Sequence, residues 1–96
     1  MHTLTSVDGY EWDLAKAAAN LRKHKVDFAD AALSLEDPYA LTIADPDAGG
    51  EERFICLGAD PEGRVLVTIF ALVGQTTRII SSRRASPGER RSYENR

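Results

Sequence analysis

From Val65 to Leu72 the chain reads Val-Leu-Val-Thr-Ile-Phe-Ala-Leu, an uncharged run rich in β-branched residues. A run of this length and chemistry reads as a central β-strand covered on both faces, and it sets the frame into which the remaining segments must fit. Gly74-Gln75 turns it into a second strand, Thr77 to Arg83. The uncharged stretch as a whole, Val65 to Thr77, is shorter than the roughly 18 apolar residues of a membrane span. The first residues lack the basic flank and apolar core of a secretion signal, so a cytoplasmic protein without membrane contact is expected. With 96 residues the chain is read as a single domain over 10–96, preceded by an N-terminal extension, 1–9, in which no periodic pattern stands out.

Upstream of the long strand the period changes from two to 3.6. Asp13 suits a helix N-cap, and Leu14, Ala17, Ala18 and Leu21 recur at i, i+3, i+4 and i+7, which predicts a helix over 13–24 with that stripe facing the core. Lys16, Asn20 and Lys23 then form a polar ridge on another face, with His24 at the helix end. Asp27 caps a second helix carrying Phe28, Ala31, Ala32 and Leu35, which Asp37-Pro38 stops. Tyr39 to Ile43 and Glu52 to Leu57 read as strands, and Gly58 to Gly63 as the turn into Val65. Ser86-Pro87-Gly88-Glu89 has the form of a capping box opening a short helix over 87–95. The expected fold is α+β: two N-terminal helices, a four-stranded antiparallel meander and a short C-terminal helix.

Charge is unevenly placed. Residues 1–62 hold 5 Lys+Arg against 13 Asp+Glu, a net −8, whereas residues 63–96 hold 7 against 2, a net +5. All seven late cations are arginines, whose planar fork matches phosphate, so an anion-facing surface on an acidic body is expected. With one cysteine, Cys56, and two histidines, His2 and His24, no Cys/His cluster exists for zinc; neither metal nor cofactor is expected. Cys56 sits mid-strand and reads as a small buried hydrophobe.

Metal-free cleavage of RNA needs a group to take the 2'-hydroxyl proton, an acid for the leaving 5'-oxygen, and cations to stabilise the phosphorane. Lys23, His24, Arg53, Arg78 and Arg83 are candidates for the catalytic set, and Lys16, Arg64, Arg84 and Arg90 for contacts to the RNA backbone. Glu89 and Tyr93 are candidates for proton transfer. Each has a plainer role open to it: solvated helix face, surface ion pair, helix cap, or core packing. Strict alternation places Arg78 with Ile80 and Ser82 on one face and Ile79 with Ser81 and Arg83 on the other, so the two arginines converge only if a twist, bulge or strand end intervenes.

Glu11-Trp12-Asp13, Lys16, Asn20, Lys23-His24, Val26, Phe28, Ala31, Asp37-Pro38, Glu51-Glu52-Arg53, Gly58, Arg64, Arg78-Ile79-Ile80-Ser81 and Glu89-Arg90, taken in order, resemble the BrnT family of toxins from type II toxin-antitoxin modules. The resemblance spans about residues 10–94. It implies a RelE-like α+β ribonuclease, neutralised by a BrnA-type antitoxin whose ribbon-helix-helix domain binds operator DNA. It carries the family's site onto Lys23, His24, Arg53, Arg64, Arg78 and Arg83, with Glu51, Glu52 and Glu89 beside them. The chain departs from the family at Ser82, commonly alanine, at the apolar Ala71-Leu72-Val73 and at the helix-weakening Pro87-Gly88. Two functions follow: a metal-independent endoribonuclease toxin, or a noncatalytic interaction module that acts as corepressor or binds RNA.

Overall fold

The computed structural model describes residues 4–95. It opens on a hairpin: strand β1 (Leu4–Val7) pairs antiparallel with β2 (Tyr10–Asp13), Val7 opposite Tyr10. Asp8 and Gly9 make the turn, with φ of 50° and 87°. Two consecutive positive φ values are what a two-residue type I′ hairpin needs, and Asp-Gly is a favoured pair for it. The extension read over 1–9 therefore contributes an edge strand from Leu4 onward; residues 1–3 lie outside the described residues.

Asp13 ends β2 and caps α1 (Leu14–His24), accepting from the backbone N–H of Ala15 at 2.8 Å and of Lys16 at 3.1 Å. Lys25, left-handed at φ 60°, stops the helix, its N–H donating to Leu21 O at 3.0 Å. Asp27 caps α2 (Phe28–Ser34). Four strands follow, β3 (Leu41–Ala44), β4 (Arg53–Ala59), β5 (Val65–Val73) and β6 (Thr76–Arg84), and then α3 (Pro87–Glu94). The expected meander is present, but the sheet has six strands in the order β1-β2-β6-β5-β4-β3. Because β2 runs parallel to β6, the sheet is mixed rather than purely antiparallel.

Both N-terminal helices cover one sheet face, where Trp12, Val26, Phe28, Ala31, Ala32, Leu66 and Ile79 form the core. Trp12 meets Phe28 edge-on at 6.2 Å between ring centres. The helix α1 is rotated relative to the sequence expectation: Leu14 and Leu21 are each 47% exposed, whereas Asn20, read as part of a polar ridge, is buried. The reason lies in the sheet, which offers unpaired backbone groups to Asn20, as described below. Strand β4 also runs two residues further than expected, and Gly58 belongs to it rather than to the turn.

The second sheet face is only partly covered, so β5 is not buried on both sides along its whole length. Leu41, Ile43, Ile55, Leu57, Val67 and Ile69 share this face by cross-strand register. Helix α3 closes one end: Ser86 and Glu89 complete the capping box, and the buried Tyr93 donates its hydroxyl hydrogen to Asp37.

Candidate active site

The open face forms a groove of about 620 Å³ with those six aliphatic side chains as its floor. At one end stand His24 from the last turn of α1, Ser81 and Arg83 from β6, and Glu89 from α3. Arg83 and Glu89 make a two-pronged pair, Nη1 to Oε1 at 2.8 Å and Nη2 to Oε2 at 2.9 Å. Glu89 also accepts from the Ser86 N–H at 2.8 Å.

A bulge decides which arginines share the groove's sheet face. Ile69 faces Ser81 and Phe70 faces Ile79, so Ile80 is the extra residue and alternation slips by one in β6. Ile79 and Ser82 thereby both bury on the helix side, while Arg78 joins Ser81 and Arg83 on the groove side. Strict alternation would have separated the two arginines. Across the sheet, Glu11, Arg78, Ala71 and Arg53 lie in one row. That row is four β5 residues from Val67, the partner of Arg83, hence about 13 Å along the strand. Arg78 is held by Glu11 at 2.8 Å, and Arg53 by Asp45 at 3.0 Å and the Asp47 carbonyl at 2.9 Å.

The remaining candidates lie elsewhere. Arg64 bonds the fully buried Asp60 carboxylate at 2.7 Å and the Lys25 carbonyl at 3.0 Å, with Asp30 and Glu62 at 3.5 and 3.7 Å. It ties the turn before β5 to the junction of α1 and α2, and its guanidinium already neutralises the Asp30, Asp60 and Glu62 carboxylates, which lie within 4.8 Å of one another. Arg64, Arg84 and Arg90 border a separate polar cleft of about 350 Å³ together with Glu62 and Glu94. Arg84 sits on the helix-bearing face, opposite Leu66. Lys16 and Lys23 are exposed on α1 outside the groove, and Glu51 and Glu52 are exposed just ahead of β4. Tyr93 is committed to Asp37, so the packing role open to it in sequence is the one seen. Cys56 is buried on the helix-bearing face, and burial pushes its thiol above the ordinary value, away from nucleophilic use.

Electrostatics fix the charge state of Glu89. The Arg83 guanidinium, then the Ser86 N–H, hold the Glu89 carboxyl down at about 2. Glu89 is thus an anion across the neutral range and has no proton to give. A group depressed from its ordinary 4.5 stabilises the fold fully above that pH and loses the contribution as pH falls towards 2. Glu89→Gln should therefore lower the urea midpoint at pH 7, and the difference from the parent should vanish near pH 2. An undiminished difference there would show that the pair contributes nothing through charge.

Fold and groove together define a small α+β domain with one bare sheet face edged by arginines, suited to holding a polyanion across strands. The model of the family described as ribonuclease toxin, BrnT, of type II toxin-antitoxin systems matches residues 12–89, and the chain belongs to that family. A similar solved structure is that of the Brucella abortus ribonuclease toxin BrnT, at 1.1 Å resolution. The two are 29% identical, with 78% of this chain and 92% of that one covered and a TM-score of 0.62. No match is found among curated proteins. Membership implies a ribonuclease toxin paired with an antitoxin. Among the described residues no helix is long and apolar enough to cross a membrane.

Sequence reasoning missed the aliphatic floor and Ser81. The floor was legible in principle from alternation in β3, β4 and β5, but only once their pairing was known.

Proposed function

We propose that the chain is a cytoplasmic, metal-independent endoribonuclease whose reaction centre is the groove end formed by His24, Arg83 and Glu89. The observation that carries this reading is that one imidazole, one guanidinium and one carboxylate from three separate elements line the same groove, the last two in contact. In the reaction the ribose 2'-oxygen attacks phosphorus and loses its proton to a base, the P–O5' bond breaks, and an acid protonates the 5'-oxygen. Arg83 would stabilise the charge building on the phosphorane oxygens. A phosphate that takes the two-pronged site on Arg83 displaces Glu89. Freed from that pair and from its depressed value, the carboxylate becomes a better base, while His24 supplies or accepts the second proton.

Arg78 and Arg53 stand where flanking phosphates would pass, and the aliphatic floor gives the bases an apolar surface. Lys16, Lys23, Arg84 and Arg90 extend the positive field beyond the groove, whereas Arg64 is assigned a structural role by its four acidic and carbonyl partners. We assign the antitoxin to the BrnA type, with a ribbon-helix-helix domain carrying the complex to operator DNA.

A second reading is favoured by one feature: Arg53, Arg78 and Arg83 each hold a carboxylate in the structure. A module that only binds its antitoxin would keep those pairs closed. Product chemistry separates the two. Chain freed of antitoxin should cut RNA in excess chelator, leaving cyclic-phosphate or 3'-phosphate ends, and should spare RNA lacking the 2'-hydroxyl at the cut site. Cleavage restored only by a divalent ion would reject the mechanism; harmless expression without antitoxin, with antitoxin binding intact, would favour the module.

A further inference from the structure

Strand β2 pairs with β6 only at Tyr10–Thr77 and Glu11–Arg78; it then ends at Asp13 as the chain turns into α1. The outer edge of β6 beyond Arg78 consequently has no strand neighbour on that side, and an edge of open N–H and C=O groups buried beneath a helix is costly unless something pairs it. The side-chain amide of Asn20 does so. Its Oδ1 accepts from the Ser82 N–H at 3.1 Å and its Nδ2 donates to the Ser82 carbonyl at 2.8 Å, the two bonds a neighbouring strand would have made. The same Nδ2 donates to the Val26 carbonyl at 3.0 Å, tying in the segment that follows α1. Asn20 is 7% exposed and Ser82 1%, so all three bonds are shielded from water.

This clamp lies between the two halves of the groove end. Ser82 is flanked by Ser81 and Arg83, both directed into the groove, and His24 is one turn beyond Asn20 on the same face of α1. We infer that Asn20 is a positioning residue for RNA cleavage, fixing α1 against β6 so that the His24 imidazole is held on the same groove as the Arg83 guanidinium. The inference rests on the ribonuclease reading of that groove. Asn20 itself touches no substrate. Its action is through the register and rotation of α1, where a displacement of about 1 Å can cost on the order of 100-fold in rate.

The test is a double-mutant cycle on the purified full chain with an RNA substrate, at a temperature where circular dichroism shows every variant folded. Asn20→Ala should lower kcat by about 10- to 100-fold while KM changes less than about threefold, since phosphate contacts at Arg53 and Arg78 are untouched. His24→Ala should lower cleavage strongly in the parent but only a few-fold in the Asn20→Ala background, because the imidazole is already misplaced. Independent, multiplicative losses, or full activity of Asn20→Ala, would overturn the inference and leave the ribonuclease reading standing. Full activity of His24→Ala and Arg83→Ala in the parent would instead remove the ribonuclease reading of this groove. Should Asn20→Ala fail to fold, Asn20→Asp is put through the same cycle with the same criteria; it matches the volume and can still accept from Ser82, but loses both donated bonds.

Discussion

Arg83→Ala is expected to lower RNA cleavage by about 100-fold, in the range seen when one preorganised donor to a developing oxyanion is removed. The argument is geometric. Of the arginines on this sheet face, Arg83 lines the groove together with His24 and Glu89, while Arg53 and Arg78 are about 13 Å further along the strands. Loss of the side chain also removes the pair with Glu89, but that pair is partly exposed, with Arg83 at 45% and Glu89 at 34%, so its contribution to stability is small. Activity should therefore fall far more than the unfolding midpoint. Arg83→Lys keeps the charge and loses the two-pronged geometry, and should recover only part of the rate. Steady-state cleavage of a defined RNA, read beside thermal unfolding, checks both. Arg83→Ala with wild-type turnover would remove this arginine from the reaction centre.

Gly58→Ala is expected to be the most damaging single-methyl substitution for the fold. The added Cβ would stand 2.3 Å from the Ser34 carbonyl oxygen and 3.2 Å from its carbon, both backbone atoms at the end of α2. No rotamer change relieves such a contact, so α2 must move off the sheet, and the cost should be roughly 2–4 kcal/mol. For a domain of this size that lowers Tm by roughly 10–25 °C. The position requires glycine because of close approach, not because of a left-handed backbone: Gly58 is absent from the positive-φ positions. Chemical denaturation of the purified variant reads the loss directly, and a change below about 0.5 kcal/mol would show that α2 packs more loosely than its contact with β4 indicates.

The two predictions differ in how visible their residues are from the amino-acid order alone. Arg83 stands out by charge in a strand end. Gly58 does not: from sequence it reads as the start of a turn, and only the crossing of α2 over β4 reveals why a side chain is barred. The same difference runs through the fold. Both helix caps, the Ser86–Glu89 capping box and the apolar β5 are local patterns, and each forms where its residues indicate. Asp8-Gly9 was an equally local hairpin signal, overlooked because the strands on either side of it are only four residues long.

What the chain order determines by itself is whatever rests on neighbours within a turn or two: where helices start, where strands run, where charge collects, and which family these add up to. What only the tertiary structure decided is orientation. The stripe of Leu14, Ala18 and Leu21 has the right period for a buried face, yet it points outward while Asn20 turns inward and supplies hydrogen bonds to the edge of β6. Likewise Arg78 and Arg83 share a face because one extra residue at Ile80 fits the pairing of β6 with β5. Unpaired backbone in a buried place costs more than two exposed leucines, and that balance exists only once strands and helices meet.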